Sequence, residues 1–217
     1  MKLPASLLAA LAVLGLTTGC VTGTRSIGLG VTPADSYAKN PGKGTVAIGL
    51  ITDDRTFENH PDDPSTPSVK GDVNALTPAA RSTYIGRQRN SYGHAMGDIA
   101  LPDGGTVQGR VAELLGEGLK RRGFELTEPG KADSVVTAGI QQFWSWATPG
   151  FVVLTFEAHI SCTVTVTKGA KQSTFTVKGY GKNHGQIAKN GNWQEAWDIA
   201  FTDFLASLDQ QLAASGQ

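Results

Sequence analysis

A stretch in the C-terminal half alternates strictly between apolar and polar side chains, and it constrains the fold more than any other part of the chain. The apolar members are Phe156, Ala158, Ile160, Cys162, Val164 and Val166. The polar members are Glu157, His159, Ser161, Thr163, Thr165 and Thr167. Because successive side chains of a strand point to opposite faces, this period of two predicts a long β-strand with one buried and one solvated face.

The segments on either side predict further strands of an antiparallel meander. Residues 134–146 carry most of their large apolar side chains on one parity, with Gln142 as the exception. These side chains are Val136, Ala138, Ile140, Trp144 and Trp146. A Lys168–Lys171 connection predicts a hairpin, after which 174–180 returns beside the alternating strand.

Two amphipathic helices are predicted to cover this sheet. The first begins at the N-cap Thr106 and ends at Gly123, and the second runs from Asn192, capped reciprocally with Glu195, to Leu212. With a first strand over 45–51, these elements predict an α+β fold. We expect a two-layer sandwich in which a mainly antiparallel sheet of about four to six strands is covered by two helices.

The N-terminus has the pattern of an exported and lipid-modified protein. Lys2 precedes an apolar run, Leu3–Leu16, that is too short to span a bilayer, and Thr17-Thr18-Gly19 then leads to Cys20. This order resembles the lipobox of bacterial lipoproteins, which implies an acylated Cys20 as the first mature residue. An ordinary secretory signal without a lipid is the alternative.

Three regions of different character follow from these patterns. Residues 1–19 are predicted to be a signal peptide, 20–43 a flexible tether, and 44–217 one α+β domain. The Pro-rich segment 52–105 is predicted to be a long irregular insertion, in which 83–86 and 98–101 could be edge strands.

Charge and cysteine content exclude two kinds of interaction. The chain has 19 basic and 19 acidic residues and no basic run, so nucleic acid is not an expected partner. Only Cys20 and Cys162 are present, and a lipid on Cys20 would leave Cys162 without a disulfide partner. If Cys20 carries no lipid, a bridge between the two cysteines is the alternative.

Several short motifs in this order resemble the YajG-type family of uncharacterised outer-membrane lipoproteins. They are Arg122-Gly123-Phe124 after the first helix, Ala132-Asp133 before a strand, and Tyr180-Gly181. The resemblance covers roughly 45–212 and implies a related fold and a lipid anchor at Cys20. Val21 follows the cysteine where an aspartate would suggest inner-membrane retention, so the expected location is the periplasmic face of the outer membrane. The resemblance implies no catalytic residues.

No catalytic residue, metal site or cofactor is predicted from the remaining side chains. His159 and Glu157 share the wet face of one strand and could form a pair or a metal site, but a solvated strand face is the favoured interpretation. The acidic residues Asp53, Asp54, Asp62 and Asp63 lack the spacing of a calcium loop, so a solvated acidic loop is expected there as well.

The aromatic residues around Pro149-Gly150 are the candidates for partner binding. Trp144, Trp146 and Phe151 could dock a partner, a glycan or a membrane, or they could pack against Trp193 and Trp197 of the last helix. The strand parity favours packing. The expected function is a non-catalytic envelope protein that binds another envelope component; the alternatives are an envelope hydrolase or metal-binding protein, and a binder of lipid or peptidoglycan fragments.

Overall fold

The centre of the protein is a mixed β-sheet, seen in a computed structural model that describes residues 23–34, 42–90 and 94–216. Its eight strands are β1 (Arg25–Ser26), β2 (Thr45–Asp53), β3 (Tyr84–Arg89), β4 (Ala95–Ala100), β5 (Glu125–Leu126), β6 (Ser134–Pro149), β7 (Leu154–Lys168) and β8 (Lys171–Gly185). The α-helices are α1 (Pro78–Arg81), α2 (Val107–Arg121) and α3 (Asn190–Ala214). Short 3₁₀ turns cover Val73–Ala75 and Pro129–Lys131.

The long strand β6 organises the sheet. On one side it pairs with β7, which pairs in turn with β8, and both pairings are antiparallel. Its other side is shared by two parallel partners, since β2 pairs along its first half and β3 pairs at Ser145 and Trp146. Beyond these partners, β5 is added to β2, and β4 followed by β1 are added to β3.

The predicted fold class is therefore wrong. Within the described residues, the sheet has eight strands rather than four to six, three helices are present rather than two, and four of the seven strand pairings are parallel. The meander β6–β7–β8 was visible because hairpin neighbours are close in sequence. Parallel partners must be joined by long crossovers, and nothing in the local pattern of β2 or β3 indicates which strand they meet.

Helices α2 and α3 lie on one face of the sheet and enclose the main core. Phe143 of β6 stacks on Trp197 of α3 with ring centroids 4.4 Å apart, and Phe156 of β7 meets Trp193 edge-on at 5.0 Å. Helix α3 lies very close to β8, because a Cβ at Gly181 would come within 1.9 Å of the carbonyl oxygen of Ala196.

The ends of α2 confirm their predicted signals, whereas the start of α3 does not. Thr106 accepts a hydrogen bond from the Gly109 N–H at 3.1 Å, and Gly123 closes the helix with a φ of +91°. Helix α3 begins at Asn190, before the predicted cap, and the side chain of Asn192 instead donates to the carbonyl oxygen of Ile187 at 2.8 Å.

The predicted tether over 20–43 is wrong for residues 25–31, which belong to the folded body. Ile27 and Leu29 are buried in the main core, and β1 pairs with β4. Glycines on either side of Leu29 made this segment look like a linker, although its two large apolar residues alternate as in a strand. Residues 35–41 lie outside the described part of the chain.

The predicted insertion 52–105 contains two inner strands and a packed covering segment. β3 lies between β4 and β6, and β4 lies between β1 and β3, so neither is an edge strand. Residues 54–82 cross the face of β6 opposite to the helices, where Phe57, Val69 and Val73 form a second, smaller core with two tryptophans of β6. Because of this covering segment, side chains on both faces of the C-terminal half of β6 are buried.

Candidate functional site

The predicted lipidation residue, Cys20, lies outside the described residues, and the first strand of the folded body begins five residues later, at Arg25. Two residues, Val21 and Thr22, separate Cys20 from Gly23, where the described chain begins. The segment after Gly23 is held by side chains of both long helices. Arg110 of α2 donates to the carbonyl oxygen of Leu29 at 2.7 Å, and Gln194 of α3 donates to that of Gly28 at 3.0 Å.

Trp144 and Trp146, two of the predicted partner-binding residues, are buried. They pack against the covering segment rather than against Trp193 and Trp197, so the predicted packing partners are wrong. The cause is a β-bulge, because Ile140 pairs with Cys162 and Gln142 with Ser161, leaving Gln141 without a counterpart in β7. One extra residue moves every later side chain of β6 to the other face of the sheet.

Phe151, the third predicted partner-binding residue, is fully exposed at the turn between β6 and β7. Val152 and Val153 beside it are 71% and 40% exposed, and Ile187 after β8 is 54% exposed. Leu154 pairs with Gly185, so the β6–β7 turn and Ile187 lie at the same end of the sheet. We call Phe151, Val152, Val153 and Ile187 the apolar tip.

Glu157 of β7 accepts hydrogen bonds from two aromatic side chains on the sheet face opposite to the helices. One carboxylate oxygen accepts from the indole N–H of Trp146 at 3.1 Å and the other accepts from the hydroxyl of Tyr180 at 2.5 Å. Partial burial, the hydrogen bond to Glu157 and the charge of Glu157 together raise the pKa of Tyr180 to about 12. The Tyr180 hydroxyl therefore stays protonated, as a hydrogen-bond donor, into alkaline solution.

His159 lies beside Glu157 and Tyr180, where the sequence allowed a metal site. Its ring meets that of Tyr180 edge-on at a centroid distance of 6.3 Å. Burial, and then the nearby charge of Lys178, lower the pKa of His159, so the imidazole is neutral at neutral pH. Among residues 23–34, 42–90 and 94–216, no group of three His, Cys, Asp or Glu side chains is placed to hold a metal ion.

The acidic residues at and after the end of β2 serve local structure. Asp53 forms a two-pronged ion pair with Arg55, with N–O distances of 2.7 and 2.8 Å. Asp54 accepts from the hydroxyl of Thr52 at 3.0 Å, and Asp63 accepts from the Ser65 N–H at 2.8 Å. The hydrogen bond from the Ser65 N–H is the main reason that the pKa of Asp63 is lowered. These contacts fix the path of the covering segment.

Sequence reasoning also missed a basic pocket of about 310 Å³ beside the covering segment. Its charged lining includes Arg87, Arg89, His60, His94 and Asp62. The two arginines alternate along β3 in the order Arg-Gln-Arg, which is a recognisable signal for one charged strand face. Both bind main-chain oxygens of the covering segment, Arg87 that of Val69 and Arg89 that of Pro61, so they position this segment.

An open groove of about 440 Å³ runs along the sheet face opposite to the helices. Hydroxyl, amide and carboxylate groups line it together with one exposed leucine. The lining side chains that can contact a ligand are Leu50, Thr52, Asp54, Thr137, Gln141, Thr163 and Thr165. Such a lining offers both donors and acceptors of hydrogen bonds on a broad surface, which suits binding of a polar partner.

Comparisons with known proteins give a limited likeness. No protein-family model and no curated protein matches the sequence. Within the described residues, none of the helices has both the length and the apolar composition needed to cross a bilayer.

Three solved structures are similar in part. Protein XCC0632 from Xanthomonas campestris, described as DUF330, is 11% identical over 89% of this chain and 96% of its own, with a TM-score of 0.49. Protein CT253 from Chlamydia trachomatis is 13% identical over 80% and 99%, with a TM-score of 0.42. A candidate lipoprotein from Caulobacter crescentus is 14% identical over 48% and 82%, with a TM-score of 0.29. These values are too low to transfer an activity or a ligand to this chain, and the resemblance to the YajG-type family stays a prediction.

Proposed function

We propose that this chain is a lipid-anchored protein of the periplasmic face of the outer membrane, which binds another envelope component without catalysis. The observation that carries the proposal is the short distance along the chain between Cys20 and β1, which begins at Arg25. Five residue steps span at most about 18 Å, even fully extended. An acylated Cys20 would therefore hold the body close to the bilayer instead of at the end of a long tether.

The anchor is tested by labelling cells with palmitate. Wild-type protein should carry the label and sediment with outer-membrane fractions, whereas Cys20→Ala should carry none and be released with the soluble periplasm. Cys162→Ala is the matched control, because Cys162 is buried in β7 and should not affect labelling. Equal labelling of wild type and Cys20→Ala would refute the anchor.

The partner surface that we propose is the groove and the Thr-rich face of β7 around it. The helices cover the opposite face, and the covering segment shields only the C-terminal half of β6. Pairing of a partner's strand with the outer edge of β8 is a poorer alternative, because backbone N–H groups near the middle of β8 are already used. There the N–H groups of Tyr180 and Lys178 already donate to Asp203 and Ser207 of α3, at 2.9 and 3.4 Å.

Site-specific crosslinking in intact cells tests this surface. A photoreactive residue at Thr165, in the groove, should give one discrete adduct with an envelope protein. The same residue at Gln210, exposed on α3, is the control and should give none. Adducts of equal yield from both positions, or none from Thr165, would contradict the proposed surface.

The groove lining also supports a second candidate, a fragment of peptidoglycan. Hydroxyl and amide side chains such as Thr163 and Gln141 are typical partners of sugar hydroxyl groups, and Asp54 adds an acceptor. Calorimetric titration with soluble peptidoglycan fragments should show saturable binding that Gln141→Ala weakens. Heat of dilution alone would exclude this candidate.

A further inference from the structure

We propose that the apolar tip inserts into the interface of the bilayer to which Cys20 is anchored, and so fixes the orientation of the body on the membrane. This inference rests on the proposed lipid anchor and goes beyond it by assigning a second membrane contact. The partner is a phospholipid surface that contains anionic lipids.

The apolar tip is unusual in its composition for a tight turn. Phe151, Val152 and Val153 follow Pro149-Gly150, where a soluble hairpin would be expected to carry polar side chains. With Ile187 they make up four of the seven large apolar residues that are exposed in the described chain. An apolar group of this kind, concentrated at one end of a sheet, indicates a contact with another apolar phase.

The strand directions place the N-terminal entry of the body at this same end. β1 is parallel to β4, β4 is antiparallel to β3, and β3 is parallel to β6. β1 and β6 therefore run in opposite directions, so the chain enters β1 from the end of the sheet at which β6 reaches its turn. Arg25 of β1 also donates a hydrogen bond to the carbonyl oxygen of Ala188, the neighbour of Ile187.

The length of chain before β1 then brings the membrane to the apolar tip. Arg25 can be no more than about 18 Å from Cys20. Because Arg25 bonds to Ala188, a lipid on Cys20 keeps the bilayer surface near the segment that contains Ile187. The opposite end of the sheet, at the Gly169-Ala170 turn, is separated from this surface by the length of β7, about 45 Å.

The charges around the apolar tip suit a phospholipid surface. Neither 147–156 nor 182–194 contains an acidic residue, and Lys182 and Lys189 are exposed in the second of these segments, Lys182 opposite Glu157 of β7. Basic side chains beside inserted apolar ones are the usual combination at a bilayer interface, where they meet anionic head groups. A tip intended for a basic or neutral apolar protein groove would gain nothing from these lysines.

The test uses the full lipidated protein in vesicles of phosphatidylethanolamine and phosphatidylglycerol, with one polarity-sensitive fluorophore. Phe151→Cys carries the probe at the apolar tip, and Ala170→Cys carries it at the far turn as the matched control. The native cysteines do not react, because Cys20 is blocked by its lipid and burial raises the pKa of the Cys162 thiol to about 12. Both labelled positions are exposed, so folding should be unaffected.

We expect the probe at 151 to shift its emission to the blue on reconstitution, to be quenched by bromolipids and to be protected from aqueous iodide. The probe at 170 should behave as it does in water. A probe at 151 that iodide quenches as readily as the probe at 170 would overturn the inference. A blue shift of the probe at 151 in detergent-free Cys20→Ala protein without vesicles would also overturn it, since the tip would then be covered by another protein molecule.

Mass spectrometry of the same sample separates this inference from the anchor on which it rests. Lipid found on Cys20 together with a water-exposed probe at 151 refutes insertion alone. A Cys20 without lipid refutes the anchor and the inference together.

Discussion

The guanidinium group of Arg25 donates a hydrogen bond to the carbonyl oxygen of Ala188 across 2.5 Å, joining the first strand to the segment that enters the last helix. Partial burial lowers the pKa of Arg25 from its ordinary value, but a guanidinium stays protonated in proteins, so the bond is charge-assisted. The backbone of Ile27 then donates to the carbonyl oxygen of Ala100 at 2.9 Å. These bonds make the N-terminal segment part of the body on which an anchor can act.

Arg25→Ala should loosen that segment. Loss of a hydrogen bond from a charged donor costs about 1.5–3 kcal/mol, and here the cost should appear mainly as local opening of β1. Hydrogen exchange at the amides of Ile27 and Leu29 is the measurement, and both should exchange faster. The exposed Lys120→Ala on α2 is the control, and unchanged exchange in Arg25→Ala would show that the other contacts of the segment hold it without Arg25.

A larger loss of stability is expected at Arg55, which joins three parts of the fold. Its side chain is fully buried, pairs with Asp53, and donates to the carbonyl oxygens of Arg81, Tyr84 and Phe143. Arg55→Ala removes the charged partner of the Asp53 carboxylate and the donor to three main-chain oxygens. Removing one partner of a buried ion pair costs about 3–5 kcal/mol in the free energy of unfolding.

Urea denaturation followed by tryptophan fluorescence measures this loss. Lys131→Ala is the control, since Lys131 pairs with Glu128 at 3.0 Å, both side chains are exposed, and an exposed pair contributes only about 0–1 kcal/mol. Arg55→Lys should recover little, because a single ammonium group cannot replace the fork that binds Asp53. Equal midpoints for Arg55→Ala and Lys131→Ala would contradict the role given to Arg55.

The parts of this fold that sequence reasoning could predict are those set by near neighbours. Thr106 and Gly123 mark the ends of α2 within a few residues of the bonds they make, and the alternation over 156–167 follows from one strand alone. The unpaired Gln141 gives no such signal, because an extra residue is recognised only against the partner strand. The exposure of Phe151 could be predicted, because Phe151 directly follows the Pro149-Gly150 turn. The burial of Trp146 in the second core could not, because it depends on the unpaired Gln141.

The close approach of α3 to β8 depends on Gly181. A Cβ there would lie 1.9 Å from the Ala196 carbonyl oxygen and 2.6 Å from the Ala200 nitrogen, both of which belong to the helix backbone. Gly181→Ala must therefore move the helix, and overpacking of this kind typically costs about 1–3 kcal/mol, or more when backbone must shift. Thermal unfolding should show a lower midpoint.

Gly191 provides the matched control for this substitution. It lies in the first turn of α3 with no atom within 4 Å of its Cβ position. Gly191→Ala should leave stability unchanged or raise it by up to about 1 kcal/mol, the difference in helix propensity. If Gly181→Ala were as stable as Gly191→Ala, the helix would be free to adjust and the contact would not define its position.

The bond from Tyr180 to Glu157 predicts a loss of stability in alkaline solution. The pKa of Tyr180 is raised to about 12 in the folded protein, from an ordinary value near 10, so folding favours the protonated hydroxyl. The stabilisation from this group is fully present below about pH 10 and is lost as pH rises toward 12. Wild type should therefore lose more stability over this range than Tyr180→Phe, as measured by urea denaturation. Comparing the two removes the contribution of the lysines, which titrate over the same range.

Glu157→Gln should lower the pKa of Tyr180 in an ultraviolet titration without restoring its ordinary value, since partial burial remains, while Glu128→Gln should leave it unchanged. An identical pH dependence in wild type and Tyr180→Phe would mean that the hydroxyl titrates as in the unfolded chain.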